Sequence, residues 1–138
     1  MNASDLIRRH EGERLKPYLD TATPPRITIG IGRNLTDRGI SRAEMDMLFA
    51  NDLLAARDDL DALAPWHKFI GPVRQAVLLD MIFNMGRGGL SKFKRFLAAM
   101  HDSDWPQAAA EMRDSAWWRQ VGARAVTLEK MVLTGQWP

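Results

Sequence analysis

The sequence predicts an α+β fold that is mostly α-helical, with a small N-terminal β-containing lobe joined by a long helix to a helical C-terminal lobe. Apolar residues recur at helical spacing over most of the chain, and strand-like alternation occurs only between Leu15 and Gly32. A length of 138 residues suits one folded domain with a buried core. We expect a single domain over residues 1–138, with lobes at approximately 12–64 and 65–138 and with residues 1–11 packing on the C-terminal lobe.

The first predicted elements are a short helix and a group of strands. Asn2, with Asp5 three residues further on, is typical of a helix cap, and the helix should end at Gly12, which places Glu11 in its last turn. The pattern then changes to proline, tyrosine, threonine and alternating isoleucine as far as Gly32. This pattern favours two or three short antiparallel strands.

The rest of the chain is predicted to be helical. Ser41 followed by Glu44 is a capping box, and the helical spacing that continues to Pro65 predicts a helix of about twenty residues. Pro72 begins a nearly continuous apolar run that stops at Gly86, which indicates a helix buried on most sides at the centre of the core. The remaining predictions are a turn at Gly86, Gly88 and Gly89, a helix opened by Ser91, a helix capped by Asp104, and helices near 116–120 and 123–133.

The composition excludes several kinds of chemistry. The chain has no cysteine, so it has no disulfide and no thiolate nucleophile, and His10, His67 and His101 show no ligand spacing. We therefore expect no metal and no cofactor. The most apolar stretch, 76–83, is interrupted by Asp80 and is too short to span a bilayer, and no export or anchoring signal is visible. We expect no stable membrane insertion.

The formal net charge of +2 is unevenly distributed. Residues 1–64 carry nine Lys and Arg against eleven Asp and Glu, whereas residues 65–138 carry ten against six. A positive half can attract nucleic acid, anionic lipid or an anionic cell-wall polymer, and charge alone does not choose among them. An ordinary solvated surface of mixed charge explains the pattern equally well.

Two carboxyl groups near the predicted strands point to cleavage of a glycosidic bond. Glu11 lies in the negative field at the end of a helix, which disfavours its ionised form and suits a general acid. Asp20 has polar neighbours and should stay ionised, and the hydroxyl of Thr28 on a later strand is placed to hold a water. Glycoside hydrolysis needs two carboxyl groups in two such environments. The pair alone is weak evidence, because seventeen acidic residues form many pairs.

The segments that carry these residues resemble the phage-type lysozymes, which are endolysins of glycoside hydrolase family 24 and include the T-even phage lysozyme. The resemblance is strongest over His10–Asp20 and Thr28–Gly32. It covers nearly the whole chain in one order, continuing through Val73–Ala76, Ile82–Gly86, Ala116–Trp118, Arg124–Ala125 and Thr134–Trp137.

This resemblance implies hydrolysis of the β-1,4 bond between N-acetylmuramic acid and N-acetylglucosamine in peptidoglycan, with inversion at the anomeric carbon. It implies that Glu11 is the acid and that Asp20 and Thr28 position the attacking water. Inversion requires roughly 6.5 to 9.5 Å between the two carboxyl groups, so that a water fits between them. Further substrate-binding positions implied by the resemblance are Asn84, Arg124, Trp117 and Gly30, with Arg124 matching a family arginine that approaches the catalytic glutamate.

Several of these positions have a structural alternative. The amide of Asn84 can cap the end of the buried helix instead of contacting substrate. Trp117 and Trp118 can stack on sugar faces, but tryptophans at a corner between helices more often belong to the core, and we favour the core. Arg33 stands where relatives usually have histidine, and we interpret it as forming a structural ion pair with Asp52.

The chain also departs from the family pattern in two intervals. The interval between Asp20 and Thr28 is two residues longer than in the T-even enzyme, which makes the geometry of the water the least secure part of the resemblance. The segment 34–40 is much shorter than its counterpart, which implies a smaller N-terminal lobe and a shorter cleft.

The resemblance implies a monomer whose partner is peptidoglycan. It would be made in the bacterial cytoplasm without a signal peptide and would reach the cell wall through a holin or another release system. Two other functions stay open: a peptidoglycan-binding protein without catalysis, favoured by the longer Asp20 to Thr28 interval, and a membrane-active basic lytic protein using the helix at 123–133. No motif supports nucleic-acid binding.

Overall fold

The computed structural model describes residues 1–138, which form eight α-helices, one 3₁₀ helix and a three-stranded sheet. The predicted α+β fold, mostly α, is confirmed. In chain order the elements are α1 (Ala3–Glu11), β1 (Arg14–Leu19), β2 (Ile27–Gly30), β3 (Arg33–Asn34), α2 (Leu35–Arg38), α3 (Arg42–Leu63), the 3₁₀ helix (Pro65–Phe69), α4 (Pro72–Ser91), α5 (Lys94–His101), α6 (Trp105–Arg113), α7 (Ala116–Val121) and α8 (Ala123–Thr134).

The chain divides into two compact units, Met1–Leu48 and Phe49–Pro138. The first unit contains α1, the sheet, α2 and the beginning of α3. The second contains the rest of α3 and all later helices. The single lysozyme-like domain, the lobe boundary near residue 64 and the packing of residues 1–11 on the C-terminal lobe stay predictions.

The first unit is built from a capped helix and a small antiparallel sheet. The Asn2 side chain accepts from the Asp5 amide at 3.0 Å while the Asp5 carboxylate accepts from the Asn2 amide at 2.9 Å, so the predicted cap is a full capping box. The helix ends where predicted, at Gly12, whose φ is +76°. The sheet order is β1-β2-β3, and the strands fall within the predicted segment or directly beside it.

The start of α3 corrects the predicted partner of Arg33. The Ser41 hydroxyl accepts from the Glu44 amide and the Glu44 carboxylate accepts from the Ser41 amide, which confirms the capping box. The same carboxylate pairs with Arg33, with 2.7 Å between Nη1 and Oε1, so the predicted Arg33–Asp52 pair is wrong. The capping box turns Glu44 back toward the preceding loop, whereas Asp52 lies about 12 Å further along the helix axis.

The core of the second unit is centred on α4, as predicted. Val77, Leu78 and Met81 are fully buried there and belong to a cluster that includes residues of α3, α5, α6, α7 and α8. The helix breaks at Gly86, whose φ of +76° interrupts the helical backbone.

Two details after that break differ from the prediction. Gly88 and Gly89 are helical instead of forming a turn, because Gly86 alone among the three has a positive φ. Ser91 ends α4 instead of opening the next helix: its hydroxyl donates to the Gly88 carbonyl at 2.7 Å, back into its own helix. The next helix therefore begins at Lys94.

The last three helices have the predicted positions. Asp104 caps α6 by accepting from the Gln107 amide, and α7 and α8 end within one residue of their predicted ends. Gly135 ends α8 in the left-handed conformation. Among all these helices, none combines the length and the apolar composition needed to cross a membrane.

Candidate active site

Glu11 is placed by the end of α1 and by the turn between β2 and β3. It is the last residue of the helix, and the Gly12 amide closes the helix by donating to the Arg8 carbonyl at 2.9 Å. The Glu11 side chain lies directly against Gly32: a β-carbon at Gly32 would be 2.6 Å from Glu11 Oε2. Within the first unit, the Glu11 carboxylate accepts no hydrogen bond and forms no ion pair.

Asp20 follows β1 directly, and backbone amides hold its carboxylate. Its Oδ1 accepts from the Arg26 amide at 2.9 Å and from the Ala22 amide at 3.0 Å. The hydrogen bond from the Arg26 amide is the main cause that lowers the pKa of Asp20 below its ordinary value, opposed by partial desolvation and assisted by the Ala22 amide and the Arg26 charge. Asp20 is therefore ionised at neutral pH.

The groups that lower the pKa of Asp20 are different from those that the sequence suggests. The sequence attributes the ionised state of Asp20 to polar neighbours, whereas the donors are main-chain amides. Both bonds reach Oδ1, so Oδ2 is left without a partner in the first unit. Oδ2 is the oxygen that can accept a hydrogen bond from a water or a substrate hydroxyl.

Thr28 lies in β2 and is 5% exposed. It pairs with Tyr18 of β1 and with Asn34 of β3, so its backbone position is fixed from both sides. Its hydroxyl donates to the Arg26 carbonyl at 3.3 Å.

The backbone of Arg26 joins Asp20 to Thr28. Its amide donates to Oδ1 of Asp20, and its carbonyl accepts from the Asp20 amide at 3.0 Å and from the Thr28 hydroxyl. The Arg26 side chain in turn pairs with Asp37 at 2.5 Å. Sequence reasoning missed Arg26, because its contribution is main-chain and every residue carries the same groups.

Gly30 lies at the wall of a mostly apolar groove of about 1170 Å³ in the first unit. Its φ is +70°, and no atom lies within 4 Å of the place where a β-carbon would stand. The groove runs from the end of β2 past α2 to the start of α3, and its lining also includes Ile31, Leu35, Ile40 and Met47.

The second unit contains Asn84, Trp117 and Arg124. Trp117 is 6% exposed and lies in the core, edge-on to Phe93, so its ring faces are not free to stack on a sugar. The core position is the alternative that the sequence favours. Its indole Nε1 donates to Oδ1 of Asn84 at 3.3 Å, so the Asn84 amide bonds to a side chain instead of capping the helix.

Arg124, on α8, binds Asp80 on α4. Its Nε lies 2.8 Å from Oδ1 of Asp80, and its Nη2 donates to the Asp80 carbonyl at 3.4 Å. Nothing in the sequence singles out Asp80 as the partner of this arginine. Because Arg124 lies on α8 and Asp80 on α4, the packing of these two helices determines where the Arg124 guanidinium lies.

The predicted residues are divided between the two units. Glu11, Asp20, Thr28 and Gly30 lie in the first unit, while the other three lie in the second. No group of three or more His, Asp or Glu side chains has the arrangement of a metal site.

A mostly helical α+β chain, in which a helix ends on a glutamate and leads into a small sheet flanked by an aspartate, defines a lysozyme-like protein. The family model described as phage lysozyme matches residues 8–132, and the chain belongs to this family.

Two kinds of relatives were found. The chain is 34% identical to the pre-baseplate central spike protein Gp5 of Enterobacteria phage T4, over 98% of this chain and 28% of that protein. It is 27% identical to the probable T4-type lysozymes 1 and 2 of Dictyostelium discoideum, over 95% of this chain and 93% of each of them. The chain thus spans less than a third of the spike protein. Family membership supports a lysozyme-type hydrolase.

Proposed function

We propose that this protein is a muramidase that hydrolyses the β-1,4 bond between N-acetylmuramic acid and N-acetylglucosamine in peptidoglycan, with inversion. The family and the lysozymes among the relatives support the activity. The observation on which the mechanism rests is that the two carboxyl groups have different hydrogen-bonding surroundings. Asp20 is held ionised by two amides, whereas the Glu11 carboxyl group accepts no hydrogen bond in its unit and ends a helix.

Glu11 is the proposed general acid. A general acid starts the reaction in its protonated form, and Glu11 ends α1 without an ion pair in the first unit. In that form it donates its proton to the glycosidic oxygen as the bond to the leaving sugar breaks. No group in the first unit forms a hydrogen bond with the Glu11 carboxyl group, so its proton is available for the substrate.

Asp20 and Thr28 are proposed to position the water. Oδ1 of Asp20 is occupied by two amides, so a water would donate to Oδ2, and the fixed orientation of the carboxylate determines where that water lies. The Thr28 hydroxyl donates to the Arg26 carbonyl and keeps its lone pairs free to accept from the same water. The water attacks from the face opposite the leaving group, which inverts the anomeric carbon, and it passes a proton to Oδ2 of Asp20 as the new bond forms.

Asn84 and Arg124 of the second unit are proposed to contact the sugars. With Oδ1 of Asn84 accepting from the Trp117 indole, its NH₂ group is free to donate to an N-acetyl carbonyl. Trp117 then acts by orienting this amide. Arg124 is proposed to approach substrate from its fixed position on Asp80. Gly30 has no side chain, so the wall of the groove stays open at this position.

The direct test is Glu11→Gln, measured as release of reducing sugar ends from purified cell walls free of outer membrane. The variant keeps the size of the side chain but has no acidic proton to transfer, so we expect the rate to fall by about 10²-fold to 10⁴-fold. Glu13→Gln is the matched control, because Glu13 is exposed and pairs with Arg8 outside the proposed chemistry. Wild-type rates for Glu11→Gln would remove Glu11 from the mechanism.

Inversion has its own measurement. Proton NMR of the first product should show the α-anomer at the new reducing end. A retained β-anomer would overturn the role given to Asp20, since a retaining enzyme uses its second carboxylate as nucleophile.

The alternative that the sequence leaves open is peptidoglycan binding without catalysis. In that case the wild-type protein would bind purified walls and release no reducing ends.

A further inference from the structure

We infer that Gly32 is a positioning residue for the general acid, because the missing side chain at this position creates the space that the Glu11 carboxyl group occupies. This inference rests on the proposed function of Glu11. It concerns a contact that lies entirely within the first unit.

The evidence is the closeness of the two residues. A β-carbon on Gly32 would lie 2.6 Å from Oε2 of Glu11, 2.9 Å from its Cδ and 3.3 Å from its Cγ. Ordinary contacts between carbon atoms begin near 3.5 Å. The end of the Glu11 side chain therefore occupies the volume that any other residue at position 32 would need.

The contact is specific to Gly32 and does not follow from its backbone alone. Gly32 has a φ of +71°, and Gly30 and Gly39 have similar values of +70° and +61°. All three positions therefore favour glycine for conformational reasons. No atom lies within 4 Å of a β-carbon on Gly30 or Gly39, so Gly32 is the one of these three glycines that a reactive side chain covers.

The clash at Gly32 would move the carboxyl group and leave the fold in place. The nearest atoms belong to the end of a flexible side chain, so Glu11 can rotate away without displacing backbone. A methyl group on Gly32 would push Oε2 by roughly 1 Å, the difference between its distance from that methyl group and an ordinary contact. Misplacement of a catalytic group by about 1 Å can cost 10²-fold in rate.

The test compares Gly32→Ala with Gly39→Ala. Both variants place alanine at a positive φ, so both should lose a similar amount of thermal stability. Gly39→Ala adds no contact with Glu11, so its kcat should stay within about threefold of wild type, whereas its KM can change because Gly39 also lines the groove. Gly32→Ala should lower kcat by about 100-fold on a soluble peptidoglycan fragment while KM changes by less than about threefold, because substrate binding is retained and the acid is misplaced.

A second readout does not depend on activity. The Glu11 side-chain carboxyl ¹³C resonance should move in Gly32→Ala and keep its wild-type position in Gly39→Ala. If Gly32→Ala does not fold, Gly32→Asn replaces it, because asparagine tolerates positive φ better than alanine and still carries a β-carbon.

Three results would overturn the inference: equal kcat values for Gly32→Ala and Gly39→Ala, an unmoved Glu11 resonance in Gly32→Ala, or a rise in KM as large as the fall in kcat. Failure of the proposed function is recognised separately. In that case the wild-type protein releases no reducing ends, and the carboxyl resonance alone decides whether Gly32 positions Glu11.

Discussion

The Arg113–Glu129 ion pair offers a sharp test of how the second unit is held together. Glu129 lies on α8 with its side chain 8% exposed, and Arg113, at the end of α6, is 63% exposed. Oε1 of Glu129 is buried and lies in direct contact with the guanidinium of Arg113, which is the group that balances its charge. Arg113→Met removes that cation while keeping a long apolar side chain.

The expected loss of stability depends on which member of the ion pair remains in the variant. Removing one member of a buried pair costs about 3 to 5 kcal/mol, because an uncompensated charge is left out of water. Most of the Arg113 side chain is in water and is screened, so we expect the lower end of that range, about 3 kcal/mol. With a urea slope of about 2 kcal/mol/M, this shifts the unfolding midpoint down by about 1.5 M.

Tryptophan fluorescence is the appropriate assay, since all five tryptophans lie in the unit Phe49–Pro138. Arg119→Met is the control, because Arg119 is exposed and forms no ion pair, and its midpoint should stay near that of wild type. In the double variant Arg113→Met with Glu129→Met no charge is left buried, and most of the loss should be recovered. A midpoint for Arg113→Met within about 0.2 M of wild type would refute the reasoning.

Two further predictions concern other contacts. The guanidinium of Arg33 is the main cause that lowers the pKa of Glu44 to about 2, so Arg33→Ala should raise it toward 4.5, as followed by NMR titration. Because the folded-state pKa lies below the ordinary one, the pair stabilises the fold above pH 4.5, and that stabilisation is lost as the pH falls toward 2. An unchanged pKa in the variant would contradict this assignment. Trp117→Phe keeps an aromatic ring, though a smaller one, and removes the donor to Asn84, and KM for a soluble peptidoglycan fragment should rise about fivefold. Trp118→Phe removes no such bond, and equal KM changes in both variants would argue against the role of Asn84.

The sequence was most informative where structure is decided locally. The helix caps at Asn2, Ser41 and Asp104 depend on a side chain and an amide three residues away, and all three were predicted correctly. The four-residue helix α2 and the 3₁₀ helix were not predicted, because segments that short carry no apolar period. The partner of Arg33 was predicted wrongly, because the choice depended on the direction in which Glu44 turns.

The candidate site was predictable in its residue types and not in its contacts. Glu11 and Asp20 stood out through helix-end and strand signals, but the groups that hold Asp20 are amides, which no residue type reveals. Gly30 and Gly32 both lie in the segment Thr28–Gly32 that the resemblance covers, yet only three-dimensional contacts distinguish the open Gly30 from the covered Gly32. Residue types therefore predicted which residues are candidates for the site, whereas the surrounding backbone determines the contacts that these residues make.

The resemblance implies a longer interval between Asp20 and Thr28 than in the T-even enzyme, and in the structure this interval forms a loop that closes at Arg26, directly before β2. Leu19 pairs with Ile27 and Tyr18 with Thr28, so the pairing is regular at the end of the ladder that flanks the loop, and the register shift of β1 lies between Arg14 and Tyr18. Asp20 and Arg26 then face each other through two hydrogen bonds of 2.9 and 3.0 Å, which close the loop at its base. Any extra residues lie between these two and leave the pairing unchanged. The place of the Thr28 hydroxyl relative to the Asp20 carboxylate is therefore determined by strand register and by the Arg26 backbone, and loop length is a poor guide to the position of the water.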